Sequence, residues 1–129
     1  MKNKIISFFA GIVISIYSFG ASAVTEVVWW DFLGGGDGVR MKQMIDNFNE
    51  AHPDIQINAT TLEWGVPFYT KVQTSAAVGE QPDIMTYHLS RFPLAVPTGV
   101  LRPISAEELA SVGITADRFF PANWEAANF

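Results

Sequence analysis

The sequence predicts an α/β domain with a parallel sheet, and three observations lead to that prediction. Stretches that suit strands alternate with stretches of helical periodicity between residues 24 and 129. Glycine or proline stands at most of the junctions, where these residues end helices or open turns. The order strand, helix, strand, helix, strand requires right-handed crossovers, which often place the first strand between the other two. A parallel βαβαβ core is therefore expected.

The first strand is predicted over residues 24–32. Its nearly continuous apolar run, Val27–Trp30, is typical of a strand that is covered on both faces. Successive side chains of a strand point to opposite faces. We expect Trp29 to lie in the core and Trp30 to contribute to the end of the strand, where a ligand could bind.

A helix and a second strand follow a glycine-rich turn. Asp37 is predicted to be the N-cap of this helix, because its carboxylate can accept hydrogen bonds from the first turn. The helix has one apolar stripe and runs to about Ala51, and Pro53 stops it. Residues 55–62 alternate between apolar and polar side chains, which predicts a strand with one wetter face.

The remaining elements are shorter. A second helix is predicted over residues 66–78, with Gly79 just after its end and Pro82 beyond it. A third strand is expected over residues 83–88. Further helical pieces are expected near residues 90–96, from the capping box at Ser105 to about Val112, and over residues 117–128 with an interruption at Pro121.

The first 23 residues have the pattern of a secretory signal peptide. Lys2 and Lys4 precede the apolar run Ile5–Phe19, and the small residues Ala21–Ala23 form a cleavage site. The alternative is an uncleaved membrane anchor, although a membrane span needs about 20 apolar residues. Cleavage would leave a mature chain that begins at Val24. The expected location is the periplasm of a Gram-negative bacterium.

Composition excludes several classes of function. The formal net charge is −5, whereas a nucleic-acid binder usually carries a basic patch. The chain has no cysteine, which excludes disulfides, thiolate metal sites and a lipid anchor on an N-terminal cysteine. The two histidines are too far apart in sequence to form a helical metal pair. The glycine run lacks the spacing of a dinucleotide or P-loop motif, so no metal or cofactor is expected.

Aromatic and polar residues follow all three predicted strands, at the sheet edge where α/β proteins bind ligands. Aromatic faces can cover a sugar ring, and carboxylates or a guanidinium can bind its hydroxyl groups. Structural roles remain open: Trp64 could pack on the second helix, His88 could be a structural histidine, and Arg91 could pair with a surface acid. The candidate ligand-binding residues are Trp30, Asp31, Glu63, Trp64, Tyr87, His88, Ser90 and Arg91.

Catalysis has weaker support in the sequence. Asp31 and Glu63 could act as a carboxylate pair in a secreted carbohydrate-active enzyme, and that reading stays open as the alternative. Any acidic chain can offer such a pair, and no serine-hydrolase or zinc-protease motif is present. No catalytic residue is therefore assigned.

Several stretches resemble the extracellular solute-binding proteins of ABC importers, in particular the large sugar-binding family 1 that includes maltodextrin- and glycerol-phosphate-type receptors. The similarity runs in order through residues 25–104 and continues plausibly to residue 129. It rests on Val27–Phe32 with Gly35–Gly38, on Phe48–Ile55 with its F-N-x-x-x-P-x-I pattern, on Ala76–Ile84 with its P-D-I approach to a strand, and on Gly99–Ile104 with its G-x-L-x-P-I turn.

The resemblance implies a periplasmic-binding-protein-like fold, in which two α/β lobes close over a sugar and deliver it to an ABC permease. Such proteins do no chemistry on their ligand, and we expect a monomer. The resemblance places the sugar contacts in the loop Asp31–Gly35, which includes Phe32 and Gly35. It also places them at Glu63–Trp64 and at Tyr87, Ser90 and Arg91. Asp31 departs from the histidine often found at that position.

Length sets the expected domain organisation. Members of the resembled family are several times longer than the 129 residues here. We therefore expect residues 24–129 to be part of an N-terminal lobe, in a sequence that ends before the hinge and the second lobe. The expected function is that of a periplasmic sugar-binding component of an ABC importer, in an incomplete form.

Overall fold

A computed structural model describes residues 23–128, and residues 1–22 of the predicted signal peptide lie outside the described residues. Three parallel strands form one sheet in the order β2-β1-β3, as the sequence predicts. Strand β1 (Thr25–Asp31) pairs along its whole length with β2 (Ile55–Thr61). The carboxyl ends of all strands therefore lie on one edge. No helix within residues 23–128 is both long and apolar enough to cross a membrane.

Helix α1 (Gly35–Ala51) begins three residues earlier than the sequence predicts. Its N-cap is Gly34 in an extended conformation, so the prediction that Asp37 is the N-cap is wrong. Gly35 has a φ of 55°, which an L side chain rarely adopts. The helix therefore begins at the glycines, and Asp37 lies in its first turn. There the positive end of the helix dipole stabilises the carboxylate.

Asn49 of α1 covers the outer edge of the sheet. Its side-chain oxygen accepts a hydrogen bond from the backbone N–H of Ile57 at 2.8 Å, and its amide donates to the carbonyl of Ile57 at 3.1 Å. Strand β2 is an edge strand, and an unpaired edge is open to pairing with other chains. Asn49 therefore satisfies one residue of this edge and joins α1 to β2, which gives a physical role to the asparagine of the F-N-x-x-x-P-x-I stretch.

Replacing Asn49 by alanine is expected to lower the free energy of unfolding by about 1–2 kcal/mol, because two backbone hydrogen bonds lose their partner. Urea denaturation followed by circular dichroism measures the change. Asn47→Ala is the matched control, since Asn47 bonds only with the exposed Gln43 side chain among the contacts described. Equal stability of the two variants would contradict this role of Asn49.

Helix α2 (Val66–Ala77) ends as its sequence predicts. Gly79 has a φ of 76° and its N–H donates to the Ala76 carbonyl, while the Glu80 N–H donates to the Ser75 carbonyl at 2.8 Å. This pair of bonds is the Schellman motif, which a glycine just after the helix favours. The chain then reverses toward β3 (Ile84–Met85).

Strand β3 has two residues rather than the six that the sequence predicts. Asp83 fixes its start: the Asp83 N–H donates to the Val28 carbonyl, and the Asp83 carboxylate accepts from the Val28 N–H at 2.8 Å. After Thr86 donates to the Trp30 carbonyl, the chain leaves the sheet. Tyr87 and His88 consequently lie at the sheet edge rather than in a strand.

The core lies between the sheet and α2. Trp30, Phe68, Tyr69 and Val72 form one buried cluster, and Phe68 and Val72 are fully buried. The prediction that Trp29 is the core tryptophan is wrong, because α2 covers the face to which Trp30 points. Trp29 points to the opposite face and is only partly buried.

The last helices add little to this core. They are α3 (Phe92–Ala95), α4 (Ala106–Ser111) and α5 (Pro121–Ala126), with 3-10 turns at Leu89–Arg91 and Ala116–Arg118. Ser105 and Glu108 form the predicted capping box of α4. Neither α4 nor α5 contains a buried residue, and Phe120 is 80% exposed. The packing that positions the strand ends therefore comes from α1, α2 and the sheet.

Candidate functional site

The loops after all three strands meet in one group of aromatic side chains at the carboxyl edge of the sheet. Phe32 follows β1, Trp64 follows β2, and Tyr87 follows β3. The first turn of α2 supplies Tyr69, whose ring lies 5.2 Å from that of Tyr87 and 6.2 Å from that of Trp64. We call this group, completed by His88 and Arg91, the strand-end site.

Trp64 forms an exposed aromatic wall of this site. Its side chain is 55% exposed, yet its ring packs against that of Phe32 with centroids 4.5 Å apart and an angle of 62°. Phe32 in turn contacts the fully buried Phe68 at 4.9 Å. The core therefore supports the indole from behind, while much of its surface stays open to a ligand.

The segment after β3 presents hydrogen-bonding groups beside this wall. The His88 ring lies 6.3 Å from that of Trp64, and its Nδ1 accepts from the backbone N–H of Ser90 at 3.4 Å. A neutral imidazole whose Nδ1 accepts carries its proton on Nε2. The Ser90 hydroxyl lies 2.8 Å from the same Nδ1. The turn thus fixes one N–H donor and one hydroxyl at the exposed edge.

Arg91 adds a positive charge to the strand-end site. Its guanidinium lies over the Tyr69 ring, 3.8 Å from the centroid, which is close enough for a cation–π interaction. Tyr69 is 5% exposed, and its hydroxyl has no hydrogen-bond partner among residues 23–128. The packing holds a planar cation in place while leaving Arg91 itself exposed.

The ionisation of Tyr87 depends on the same neighbours. Partial burial raises the pKa of its phenol, Tyr69 raises it further, and the Arg91 charge opposes the shift. Tyr87 therefore keeps its proton at neutral pH and can donate a hydrogen bond.

Two of the predicted ligand-binding residues lie in the interior instead. Trp30 is 9% exposed and belongs to the core cluster, with the Lys71 ammonium 4.8 Å above its ring, so it is not a free surface for a sugar. Asp31 is 3% exposed and its carboxylate accepts from the Leu33 N–H at 3.0 Å and from the Trp29 indole N–H at 3.2 Å. Both side chains therefore have structural partners, and their expected ligand contacts stay predictions.

Two further predicted residues, Glu63 and Gly35, are exposed at the strand ends. Glu63 is exposed just after β2, and Gly35 is exposed as the first residue of α1. Tyr69 was not predicted as a site residue. It lies in helix α2 rather than at the end of a strand, and it is not one of the positions that the helical periodicity places inward. The signal that was present is the position of Tyr69 in the first turn after the Glu63–Gly65 loop.

A shallow depression of about 360 Å³ adjoins the strand-end site. Gln73 of α2 lines one side, and Tyr87, Ser90 and Arg91 line another. Within the described residues, no group of three or more histidine, cysteine or acidic side chains could hold a metal ion. The chemistry that the site offers is hydrogen bonding, aromatic stacking and one positive charge.

Comparison with known proteins relates the fold to solute-binding proteins. No protein-family profile and no curated protein matches the chain. Among solved structures, the galacto-N-biose/lacto-N-biose I-binding protein of an ABC transporter from Bifidobacterium longum is 24% identical. That match covers 68% of this chain and 23% of the other, with a TM-score of 0.59.

Two further solved structures match more of the chain. CpMnBP1, solved with mannotriose bound, is 21% identical over 81% of this chain and 26% of its own, with a TM-score of 0.68. An ABC transporter solute-binding protein from Agrobacterium vitis S4, solved with D-mannitol, is 24% identical over 82% of this chain and 25% of its own, with a TM-score of 0.63.

These likenesses show the fold: an α/β unit with three parallel strands that matches part of a periplasmic-binding-protein lobe. The chain spans about a quarter of the length of the proteins that it matches. It resembles the sugar-binding proteins of ABC transporters in structure, at low identity.

Proposed function

We propose that this protein is the periplasmic substrate-binding component of an ABC importer for a sugar or a related carbohydrate. In this proposal the described residues are part of the first of two lobes, and the strand-end site is that lobe's face of the ligand cleft. The observation that carries the proposal is the exposed Trp64 wall beside the polar turn at His88–Arg91. The likeness of the fold to sugar-binding proteins supports it.

The chemistry of the site suits a sugar ring. The C–H face of a pyranose can stack on the Trp64 indole, because the ring is flat, apolar and held by Phe32. The hydroxyl groups at the rim of the sugar can then accept hydrogen bonds from the N–H groups of His88 and Arg91 and donate to the Ser90 oxygen, whose own hydrogen is directed at the His88 Nδ1. Since packing already fixes these groups, little conformational entropy is lost when a ligand binds.

The same geometry favours binding without catalysis. An enzyme that uses Asp31 with Glu63 would need a carboxylate free to exchange protons with the substrate. Both oxygens of Asp31 already accept hydrogen bonds, and its side chain is buried. We therefore propose that the ligand is held and released unchanged.

Export and delivery complete the proposal. The predicted signal peptide over residues 1–23 would bring the mature chain, from Val24 onward, to the periplasm as a monomer. The permease subunits of the inner membrane would then be its partner. The likeness to solute-binding proteins supports an extracytoplasmic location.

Trp64→Ala is the direct test of this function. We expect neutral sugars such as mannotriose, lacto-N-biose or mannitol to shift the indole N–H signal of Trp64 and the backbone N–H signals of residues 87–91 in an NMR titration of the purified chain. The backbone signals report binding to the variant as well. Removing the wall should weaken sugar binding about tenfold, because one aromatic contact contributes about 1–1.5 kcal/mol. NMR detects millimolar dissociation constants, so a weak complex of one cleft face is still measured.

Trp124→Ala provides the matched control, since Trp124 lies in α5 and packs on Phe119. This variant should bind sugar as the unchanged chain does. If no sugar shifts the Trp64 signal at 100-fold molar excess while a peptide does, the proposed function is wrong.

A further inference from the structure

The balance of charges around the strand-end site points to the chemical class of its ligand. The depression of about 360 Å³ beside the site is lined by Arg91 and by the neutral polar side chains of Gln73, Tyr87, Ser90 and Thr98, together with apolar residues. Within the part of the chain that the structure describes, no aspartate or glutamate lines it. Its size falls in the range of small-molecule sites, which is about 300–1,000 Å³.

Arg91 brings an uncompensated positive charge to this depression. Among the described residues its guanidinium meets the Tyr69 ring, 3.8 Å away, but no carboxylate lies within ion-pair distance. By contrast, Arg40, Lys42 and Arg102 each pair with an acidic side chain. The N–H donors of Arg91 are also without a hydrogen-bond acceptor within residues 23–128.

The acidic residues nearest in the fold do not supply the missing acceptor. The carboxylate of Asp31 is buried and its two oxygens are already occupied by Leu33 and Trp29. Glu63 follows β2, whereas Arg91 follows β3, and β1 lies between these two strands. A neutral sugar hydroxyl needs both donors and acceptors, but an anionic group needs only donors. On the side of the site after β3, Arg91 and the Nε2 of His88 supply N–H donors.

We propose that the strand-end site selects a sugar with an anionic group, a carboxylate or a phosphate, which Arg91 binds in the depression. This inference rests on the proposed function and specifies its ligand. In it the sugar ring stacks on Trp64 while the anionic group reaches Arg91. The Tyr69 ring packs against this guanidinium, 3.8 Å from the ring centroid, and a guanidinium can donate paired N–H bonds to two oxygens of an anion.

NMR titration of the purified chain with glucose, glucuronate and glucose 6-phosphate tests the proposal. The expected result is that at least one anionic sugar binds about tenfold more tightly than glucose, as one charge-assisted hydrogen bond allows. The comparison of glucuronate with glucose 6-phosphate identifies the anion. Arg91→Gln should remove the preference, so that the anionic sugar binds this variant no more tightly than glucose binds it, whereas Arg118→Gln should keep the preference. Arg118 is a suitable control because its side chain donates to the Gly113 carbonyl.

Salt provides a second readout that needs no variant. Affinity for the preferred anionic sugar should fall as ionic strength rises, while affinity for glucose should not. If glucose binds as tightly as both anionic sugars, this inference is wrong and the proposed function stands. A preference that survives Arg91→Gln, or inorganic phosphate binding as tightly as glucose 6-phosphate, also overturns the inference. If none of the three sugars binds, this inference is wrong, and the proposed function is judged separately by the titrations with mannotriose, lacto-N-biose and mannitol.

Discussion

Replacing Phe68 by alanine is expected to destabilise the protein by about 3–5 kcal/mol, the largest effect of any single change considered. Phe68 is fully buried at the centre of the cluster between the sheet and α2. Its ring contacts Phe32 and Tyr69 edge to face, at 4.9 and 5.3 Å. Alanine would lose the transfer energy of the ring and leave a cavity among these neighbours.

The consequence reaches the candidate site, because Phe32 supports the Trp64 wall and depends on Phe68 for its own packing. Domains of this size are stable by about 5–15 kcal/mol, so the loss takes a large share of that stability. We expect a lower urea midpoint and a broadened Trp64 indole signal. Phe68→Leu removes less volume and should fall between the wild type and alanine, which keeps the test informative if the alanine variant does not fold.

Phe120→Ala is the matched control for this prediction. The same side chain is removed there from a position that is 80% exposed, and such surface changes stay within about 0.5 kcal/mol. If both alanine variants unfold at the same urea concentration, the core does not lie where the structure places it.

The order of elements and the strand order could be predicted because their signals are local. Helical and strand periodicity, the glycine at Gly79 and the capping box at Ser105 each act within a few residues. Handedness then leaves few ways to arrange three parallel strands. The structure confirms the strand order as β2-β1-β3, and it contains the capping box and the helix-ending glycine.

The sequence of β1 does not show which of Trp29 and Trp30 points to the buried face of the sheet. The run is apolar at every position, so alternation does not distinguish one face from the other. Which tryptophan becomes buried depends on α2, whose Phe68 and Val72 cover the Trp30 face. That is a tertiary property, and no local pattern in β1 carries it.

Only part of the candidate site could be predicted, because the packing of its side chains is also a tertiary property. Strand ends identify which loops meet, and the structure brings Trp64 close to His88. The parts taken by Tyr69 and Asp31 depend on side-chain packing that spacing does not reveal. Ligand contacts at Trp64, His88, Ser90 and Arg91 stay predictions for the binding experiments.

Asp31→Ala is expected to lower the free energy of unfolding by about 2 kcal/mol. The substitution leaves the Leu33 N–H and the Trp29 indole N–H without their acceptor in a partly buried place, and each lost bond costs about 1 kcal/mol. Asp31→Asn keeps one acceptor oxygen and should cost about half as much. Urea denaturation monitored by tryptophan fluorescence measures both changes.

The control for Asp31 is Asp37→Ala, since the Asp37 carboxylate is exposed and pairs only with Arg40, at 3.3 Å. Such a pair contributes less than about 1 kcal/mol. Because the Asp31 side chain is only 3% exposed, its alanine variant should bind sugar as tightly as the wild type once the unfolded fraction is subtracted. An Asp31→Ala chain as stable as the Asp37→Ala chain, but unable to bind sugar, would show that Asp31 is a ligand contact after all. Its burial in the structure would then belong to a ligand-free arrangement that opens when sugar binds.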